Sequence, residues 1–270
     1  MKEFHGVLPS GGVASRLHPL RFPKELLPIS LDGPVDDPAW PALLIEHSLR
    51  EFQRAGVVRS TVVISPTKTE ILRYLGSGDR YGQRLTYTLQ ETPRGLADAV
   101  HLACQASGAS RFVMSLPDTV FEPRNVIRRV SEELDVMGAD IVLGVFPTNN
   151  PRALGPVDIA ADGRVRQVLD KPVQTDIQNT WGVAAWSAAF TDMLAAAIND
   201  NSTPETNFGL LVDRACREGL DVRAVYFESG AFYDLGTREG LARAWERSWP
   251  SESAGVEPES ARSASPLETS

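Results

Sequence analysis

Short apolar segments alternate with amphipathic ones through the first half of the chain, and this alternation constrains the fold more than any other feature. Segments such as FHGVLP (4–9) and STVVIS (60–65) are apolar and typical of buried strands. Residues 42–56 and 125–137 instead repeat apolar side chains at helical spacing. Because strands and helices alternate, the sheet should be mainly parallel and covered on both faces. We therefore predict an α/β fold, a three-layer α/β/α sandwich around a mixed, mainly parallel sheet.

The pattern changes near residue 147 without leaving the α/β class. Residues 157–172 resemble two strands around an Asp-Gly turn, and helices and strands follow them. We predict one domain over 1–249, with halves at 1–146 and 147–249. The remaining residues, 250–270, are mostly Ser, Glu, Ala and Pro, a composition typical of a disordered tail.

Charge and composition exclude several classes of protein. The chain has 270 residues, a net charge of −8 and a pI near 5.1, which argues against a broad nucleic-acid-binding surface. No run approaches the roughly 18 apolar residues that span a bilayer, and no signal-peptide core is present. The four histidines lack zinc-ligand spacing. We expect a cytoplasmic protein, a monomer or small homo-oligomer without membrane or nucleic-acid partners.

A glycine turn followed by two cations is the first candidate functional feature. In PSGGVASRLHPLRFPKELLPI (9–29), a predicted strand ends at Gly11 and Gly12, and Arg16 and Lys24 follow on a proline-punctuated loop. Backbone without a Cβ can approach a phosphate closely, and two fixed cations suit a triphosphate. A tight turn with solvated cations is the competing interpretation. Neither a Rossmann nor a P-loop fingerprint is present.

The whole string resembles the signature of the sugar-1-phosphate nucleotidyltransferases, with the glucose-1-phosphate thymidylyltransferases as the nearest branch. Further family-like motifs follow in the same order, over roughly residues 3–246. They are Gln90-Glu91-Thr92-Pro93-Arg94-Gly95-Leu96-Ala97-Asp98-Ala99, Leu116-Pro117-Asp118-Thr119, Leu154-Gly155-Pro156-Val157, Asp170-Lys171-Pro172, Trp181-Gly182-Val183 and Phe232-Tyr233-Asp234-Leu235-Gly236-Thr237.

The resemblance implies a role for each of these positions and a fold of the nucleotide-diphospho-sugar transferase type. The first half would bind the nucleotide and the second half the sugar phosphate. The catalytic cations would be Arg16 and Lys24. Nucleotide contacts would come from Gly11, Gly12, Gln90, Pro93 and Gly95. Sugar-phosphate contacts would come from Gly155, Asp170, Lys171, Trp181 and Gly182. Asp118 and Asp234 would hold Mg²⁺.

Elementary chemistry agrees with the metal assignment. Mg²⁺ prefers hard oxygen ligands and commonly takes one or two protein carboxylates together with substrate phosphates. Asp118 follows the apolar strand predicted at 111–117, at the end of the strand where open α/β sheets bind ligands. Asp234 follows another short apolar stretch.

The predicted reaction joins a nucleoside triphosphate, dTTP or UTP, to a sugar 1-phosphate such as glucose 1-phosphate, with release of pyrophosphate. Leu154, Pro156 and Asp170 depart from the family pattern on the sugar side. Another phosphorylated acceptor therefore stays open, such as a cyclitol phosphate, phosphocholine or a phosphonate. A catalytically silent regulatory module that only binds a nucleotide or a sugar is a second alternative. A glycosyltransferase is a third, although Asp118-Thr119-Val120 is not the D-x-D motif that it would need.

Overall fold

A computed structural model describes residues 3–13, 15–17, 19–20, 22–29, 42–200 and 206–248. The tail predicted at 250–270 lies outside the described residues.

The described elements alternate as the sequence predicts. The strands are β1 (His5–Pro9), β2 (Arg59–Ile64), β3 (Arg84–Leu89), β4 (Arg111–Ser115), β5 (Thr119–Glu122), β6 (Ile141–Pro147), β7 (Val157–Ile159), β8 (Val165–Val168), β9 (Asn179–Ser187), β10 (Val222–Tyr226) and β11 (Ala231–Asp234). The α-helices are α1 (Leu44–Arg54), α2 (Thr69–Leu75), α3 (Leu96–Ser107), α4 (Val126–Met137), α5 (Ala188–Ile198), α6 (Phe208–Arg217) and α7 (Arg238–Ser248). Short 3-10 turns cover Ser15–Leu17 and Lys24–Leu26.

Seven strands form one central sheet in the order β10-β6-β9-β4-β1-β2-β3. The pairs β1–β2, β1–β4, β2–β3 and β6–β10 are parallel, whereas β9 is antiparallel to both β4 and β6. The prediction of a mixed, mainly parallel sheet is therefore confirmed. Because β9 comes from the second half of the chain but lies between strands of the first half, the two halves share one sheet.

Helices cover both faces of this sheet. One face packs side chains such as Val7, Phe112 and Leu143 against α3, α5 and α6. The other packs alternate residues of the same strands, such as Leu8, Val113 and Val142, against α1, α2 and α4. Successive strand side chains point to opposite faces, so strands that are apolar throughout can fill two cores. The three-layer α/β/α sandwich is confirmed.

A third apolar cluster supports the sheet edge where strands β1 and β4 end. It joins Leu17 and Leu27 of the loop after β1 to Val120 of β5 and to Leu235 and Leu241 around the start of α7. The antiparallel pair β5–β11 crosses this edge. The C-terminal part of the described chain thereby packs behind the loop that carries the predicted catalytic cations.

Three elements were not predicted from the sequence. They are α5 and the four-residue strands β5 and β11. The division into a nucleotide half and a sugar half stays a prediction. No helix in the described parts of the chain is long and apolar enough to cross a membrane.

Candidate active site

The pairing of β5 with β11 brings the two predicted metal-binding carboxylates together. Asp234 is the register partner of Thr119, the residue after Asp118, and the backbone N–H of Leu235 donates to the carbonyl of Asp118 at 2.9 Å. A Cβ built on Gly236 would touch Asp118 Oδ2 and lie 3.0 Å from Asp234 Oδ1. The two carboxylates therefore face one small volume beside Gly236. The Gly236 N–H donates to Asp234 Oδ1 at 2.9 Å and fixes its orientation.

Each carboxylate is paired with one of the predicted catalytic cations. Arg16 donates to Asp234 Oδ2 at 2.7 Å, and Lys24 Nζ donates to Asp118 Oδ2. Burial alone would lower the pKa of Lys24, but the Asp118 carboxylate and its hydrogen bond outweigh burial and raise it. Lys24 is therefore a permanent cation at neutral pH. Arg16 is about half exposed, so its guanidinium borders solvent as well as Asp234.

The glycine turn lies directly after β1, as predicted. A Cβ on Gly11 would approach Gln90 Oε1 to 2.8 Å, so the close packing of these two residues requires glycine. A Cβ on Gly12 would meet no described atom within 4 Å, and Gly12 is exposed. Packing within the protein therefore explains Gly11, whereas Gly12 leaves backbone open to approach from outside.

Gln90 has a different environment from the one expected of a residue that reads a base. Its side chain is 4% exposed, and its amide nitrogen donates to the Gly95 carbonyl at 3.1 Å and to Asp98 Oδ2 at 2.8 Å. These bonds close the loop from Gln90 to Gly95, where Gly95 adopts a φ of 111°. Base recognition by Gln90 stays a prediction, and donation by its amide nitrogen to a base would require these bonds to be shared or exchanged. Pro93 is exposed on the same loop.

A buried ion pair lies beneath the glycine turn and was not predicted from the sequence. Lys68 donates to both carboxylate oxygens of Glu25, at 2.8 and 3.0 Å, and to the carbonyl of Ser10 at 2.9 Å. Burial raises the pKa of Glu25 and lowers that of Lys68, because desolvation disfavours both charges; each charge opposes the shift in its partner. The partners are 43 positions apart, so no local spacing reveals them.

A cleft of about 820 Å³ opens beside the paired carboxylates. The predicted site residues that line it are Arg16, Gly95, Asp118, Gly155, Asp170, Lys171, Trp181 and Asp234. Gly11, Gly12, Lys24, Gln90, Pro93 and Gly182 do not line it, although Lys24 and Gln90 bond to residues that do. Most of the predicted sugar-phosphate residues therefore share one cleft with the predicted metal residues.

Gly182 has a packing role next to this cleft. It is buried, and a Cβ there would lie 2.6 Å from the Phe232 ring and 2.9 Å from the Phe121 ring. Phe232 precedes Asp234 by two residues on β11. The missing side chain thus lets β11 lie close against β9, which helps to position Asp234. A direct contact of Gly182 with substrate stays a prediction.

Another part of the cleft lining combines aromatic rings with an exposed cation. Gly155 lies against the indole of Trp181, whose ring centroid is 5.6 Å from that of Phe208. Lys171 has a φ of 43°, the one positive value among the described non-glycine residues, and its N–H donates to the Leu154 carbonyl at 2.9 Å. A lysine rarely adopts this conformation unless its surroundings hold it. Both Lys171 and Asp170 are exposed.

The donor set beside Gly236 fits Mg²⁺ better than a permanent structural metal. Two carboxylates converge there, and no group of three or more His, Cys, Asp or Glu with metal-binding geometry occurs in the described ranges. Two hard oxygen ligands leave most coordination positions for phosphates and water, as is common for Mg²⁺ at phosphoryl-transfer sites. The residues present are therefore compatible with an ion that arrives with its substrate.

A profile of the nucleotidyl transferase family matches residues 5–248. The chain belongs to this family. Among curated relatives, the low-salt glycan biosynthesis nucleotidyltransferase Agl11 of Haloferax volcanii is 34% identical over 170 residues, covering 62% of this chain and 44% of the relative. A glucose-1-phosphate thymidylyltransferase of Streptomyces griseus is 27% identical over 231 residues, covering 84% and 61% respectively. The chain thus spans only between about two fifths and three fifths of the length of these two relatives.

Solved structures show the same fold at lower sequence identity. A Bacillus anthracis protein assigned as a glucose-1-phosphate thymidylyltransferase and bound to sucrose has a TM-score of 0.78 and 21% identity, with 89% of this chain and 93% of that one covered. A UDP-glucose pyrophosphorylase from Acinetobacter baumanii has a TM-score of 0.73 and 19% identity, with 90% and 92% covered. The chain therefore shares an almost complete fold with both.

Proposed function

We propose that the protein transfers a nucleotidyl group from a nucleoside triphosphate to a sugar 1-phosphate and releases pyrophosphate. One observation carries the proposal: Asp118 with Lys24 and Asp234 with Arg16 converge beside Gly236 at a cleft whose lining also includes Gly155 and Lys171. Membership of the nucleotidyl transferase family and the names of the relatives support the same reaction class.

The reaction forms one phosphorus–oxygen bond and breaks another. An oxygen of the sugar phosphate attacks the α-phosphorus, and the bond from that phosphorus to the bridging oxygen of the β-phosphate breaks, so that the electron pair leaves with pyrophosphate. The attacking phosphate oxygen is already ionised at neutral pH, so no general base is needed to remove a proton from it. Positioning and neutralisation of charge are then the main tasks of the protein.

Lys24 and Arg16 perform different parts of this task. Lys24 is largely buried and held by Asp118, so its ammonium is a fixed charge suited to the α-phosphate and the incoming sugar phosphate. Arg16 is more exposed, and its planar guanidinium suits the β- and γ-phosphates as they leave. The open backbone at Gly12 gives the triphosphate a surface that it can approach closely.

Asp118 and Asp234 would hold Mg²⁺, which would supply positive charge to neutralise the phosphates when bound. The β5–β11 pairing places the two carboxylates side by side, and the Gly236 N–H orients that of Asp234. The part of the cleft lined by Lys171 and Trp181 would form the acceptor wall, with Lys171 contacting the acceptor phosphate and the Trp181 indole packing against its ring. We propose glucose 1-phosphate as the acceptor and dTTP or UTP as the donor, in agreement with the names of the relatives.

Pyrophosphate release tests this proposal directly. The purified protein is supplied with Mg²⁺ and each of dTTP, UTP, CTP, ATP and GTP, and each triphosphate is crossed with several sugar 1-phosphates. Release should require both substrates and should be fastest with dTTP or UTP. A clean preference for CTP or GTP would contradict the predicted role of Gln90.

Other acceptors belong in the same experiment, because Leu154 and Trp181 give the acceptor wall an apolar character. Cyclitol phosphates, phosphocholine and a phosphonate form the second set. Turnover only with one of these would keep the nucleotidyl-transfer chemistry and replace the acceptor. Binding of a triphosphate without release of pyrophosphate in the presence of any acceptor would instead favour the catalytically silent module.

A further inference from the structure

The buried Lys68–Glu25 ion pair lies between the glycine turn and the segment that carries Lys24. Lys68 immediately precedes α2, Ser10 immediately precedes Gly11-Gly12, and Glu25 is the residue after Lys24. The Lys68 ammonium is the point at which these three segments meet. Its side chain is 8% exposed and that of Glu25 is 1% exposed.

The Lys68 ammonium has no N–H donor free to bind substrate in this arrangement. An ammonium group has three N–H donors. Two bond to the oxygens of Glu25 and the third bonds to the Ser10 carbonyl. None is left for a phosphate, so Lys68 differs in kind from Lys24, which has one carboxylate partner and borders the cleft through it.

The turn that carries Lys24 needs support from outside itself. Residues Lys24–Leu26 form a single 3-10 turn, and one such turn is only weakly stable alone. Leu27 and Ile29 attach its C-terminal side to the start of α1 by backbone bonds with Leu44 and Ala42. On the side of the glycine turn, the described attachment is Glu25 through Lys68.

The charges alternate from the site into the interior. Asp118 pairs with Lys24, and Glu25 next to it pairs with Lys68. Glu25 favours the charged form of Lys24, and Lys24 favours the ionised form of Glu25. A neutral residue at position 68 would therefore remove a buried counter-charge and release the turn from Ser10 at the same time.

We propose that Lys68 and Glu25 are positioning residues that set the distance between the Lys24 ammonium and the glycine turn. The inference rests on the proposed function for its kinetic part only. Geometric misplacement of a catalytic group by about 1 Å can lower turnover by about 100-fold. Loss of the pair should therefore act mainly on kcat through Lys24.

A double-mutant cycle tests whether Lys68 acts through Lys24. In the wild-type background, Lys68→Met should lower kcat about 10-fold to 100-fold, and Glu25→Gln should lower it less. In the Lys24→Met background, neither substitution should lower kcat further. Multiplicative losses in the double variants would overturn the proposal, because they would mean that the pair acts independently of Lys24.

Arg111→Met is the matched control for a general loss of stability. Arg111 pairs with Asp135 in a partly buried ion pair at the start of β4, the end opposite to Asp118. Its loss should lower the melting temperature but leave kcat near the wild-type value. If Arg111→Met lowers kcat as much as Lys68→Met does at an equal loss of melting temperature, the proposal that Lys68 positions Lys24 is overturned.

Amide hydrogen exchange supplies a readout that does not depend on activity. In Lys68→Met and Glu25→Gln, exchange should accelerate at residues 10–12 and 24–27 but not in Arg111→Met. Unchanged exchange in those segments would overturn the proposal even if activity fell. A wild-type protein without pyrophosphate release would instead contradict the proposed function, and exchange would still decide whether the pair holds the turn.

Discussion

The two walls of the cleft differ in how firmly the protein holds their charges. On the phosphate side, Asp118, Asp234, Lys24 and Arg16 pair with one another, and three separate parts of the chain contribute them. On the acceptor side, Asp170 and Lys171 are exposed on a loop that is held mainly through its backbone. Under the proposed function, this contrast would separate a preorganised site for the triphosphate from a side of the cleft that can vary with the acceptor.

Removing a carboxylate from the phosphate side should have the largest effect. Asp118→Asn and Asp234→Asn should each lower turnover at least about 100-fold, because each removes charge that holds the ion and its paired cation. Asp170→Asn, on the acceptor side of the cleft, is the matched control and should mainly raise the KM for the acceptor. Pyrophosphate release and melting temperature are measured together. Near-normal turnover of folded Asp118→Asn protein would remove the basis for the assigned site.

Removing the cation on the acceptor wall should affect binding rather than turnover. Lys171→Met should raise the KM for the acceptor about 10-fold and leave kcat nearly unchanged, since a ground-state contact to the acceptor phosphate would be lost. Arg166→Met, on β8 and outside the cleft, should change neither constant. A lower kcat with an unchanged acceptor KM would show that the two walls are not divided in this way.

The two glycines of the turn should respond differently to a methyl group. Gly12→Ala should raise the KM for the triphosphate several-fold without loss of melting temperature, because its Cβ meets open space. Gly11→Ala should lower the melting temperature, because its Cβ presses on Gln90 Oε1 while the Gln90 amide is held by Gly95 and Asp98. An equal response at both positions would argue against close approach of a ligand at Gly12.

The smallest expected effect lies away from both walls. His5 is buried and bonds to Thr61 at 2.8 Å; burial, assisted by Arg59, lowers its pKa from 6.5 to about 4. Between pH 6.5 and 4 the unfolded chain takes up a proton that the folded chain does not. His5 therefore destabilises the fold progressively as pH falls, by at most about 1.4 kcal/mol per pH unit. Urea unfolding at pH 7 and pH 5 should show a smaller pH dependence in His5→Gln.

The sequence predicts the sandwich well because its strands are apolar on both faces and its helices end at glycines. It does not reveal α5, whose segment AAFTDMLAAAI is so rich in alanine that little apolar periodicity remains. Strands β5 and β11 have four residues each, too few for an alternating pattern. Their pairing is nevertheless what brings Asp118 next to Asp234.

The candidate site likewise contains some residues that sequence motifs predict and others that they do not reveal. Motif order predicts the site residues, and eight of them line one cleft. The ion pair of Lys68 with Glu25 depends on a contact between distant positions, which no spacing in the sequence encodes. Gln90 shows the converse case. Its position matches a motif, but the motif does not predict that its amide nitrogen donates to Asp98, which only the structure reveals.

The central place of β9 has a consequence for how the chain acquires its structure during synthesis. When translation has reached Pro147, β1, β2, β3 and β4 can pair, but β6 has neither of its neighbours, because β9 and β10 both come later. A nascent chain at this stage presents the open edges of β4 and β6 to other strands. Residues 179–187 then cover the open edge of β4 and one edge of β6 in a single step. Translation between residues 147 and 187 is therefore the interval in which the growing chain most needs protection from wrong pairing.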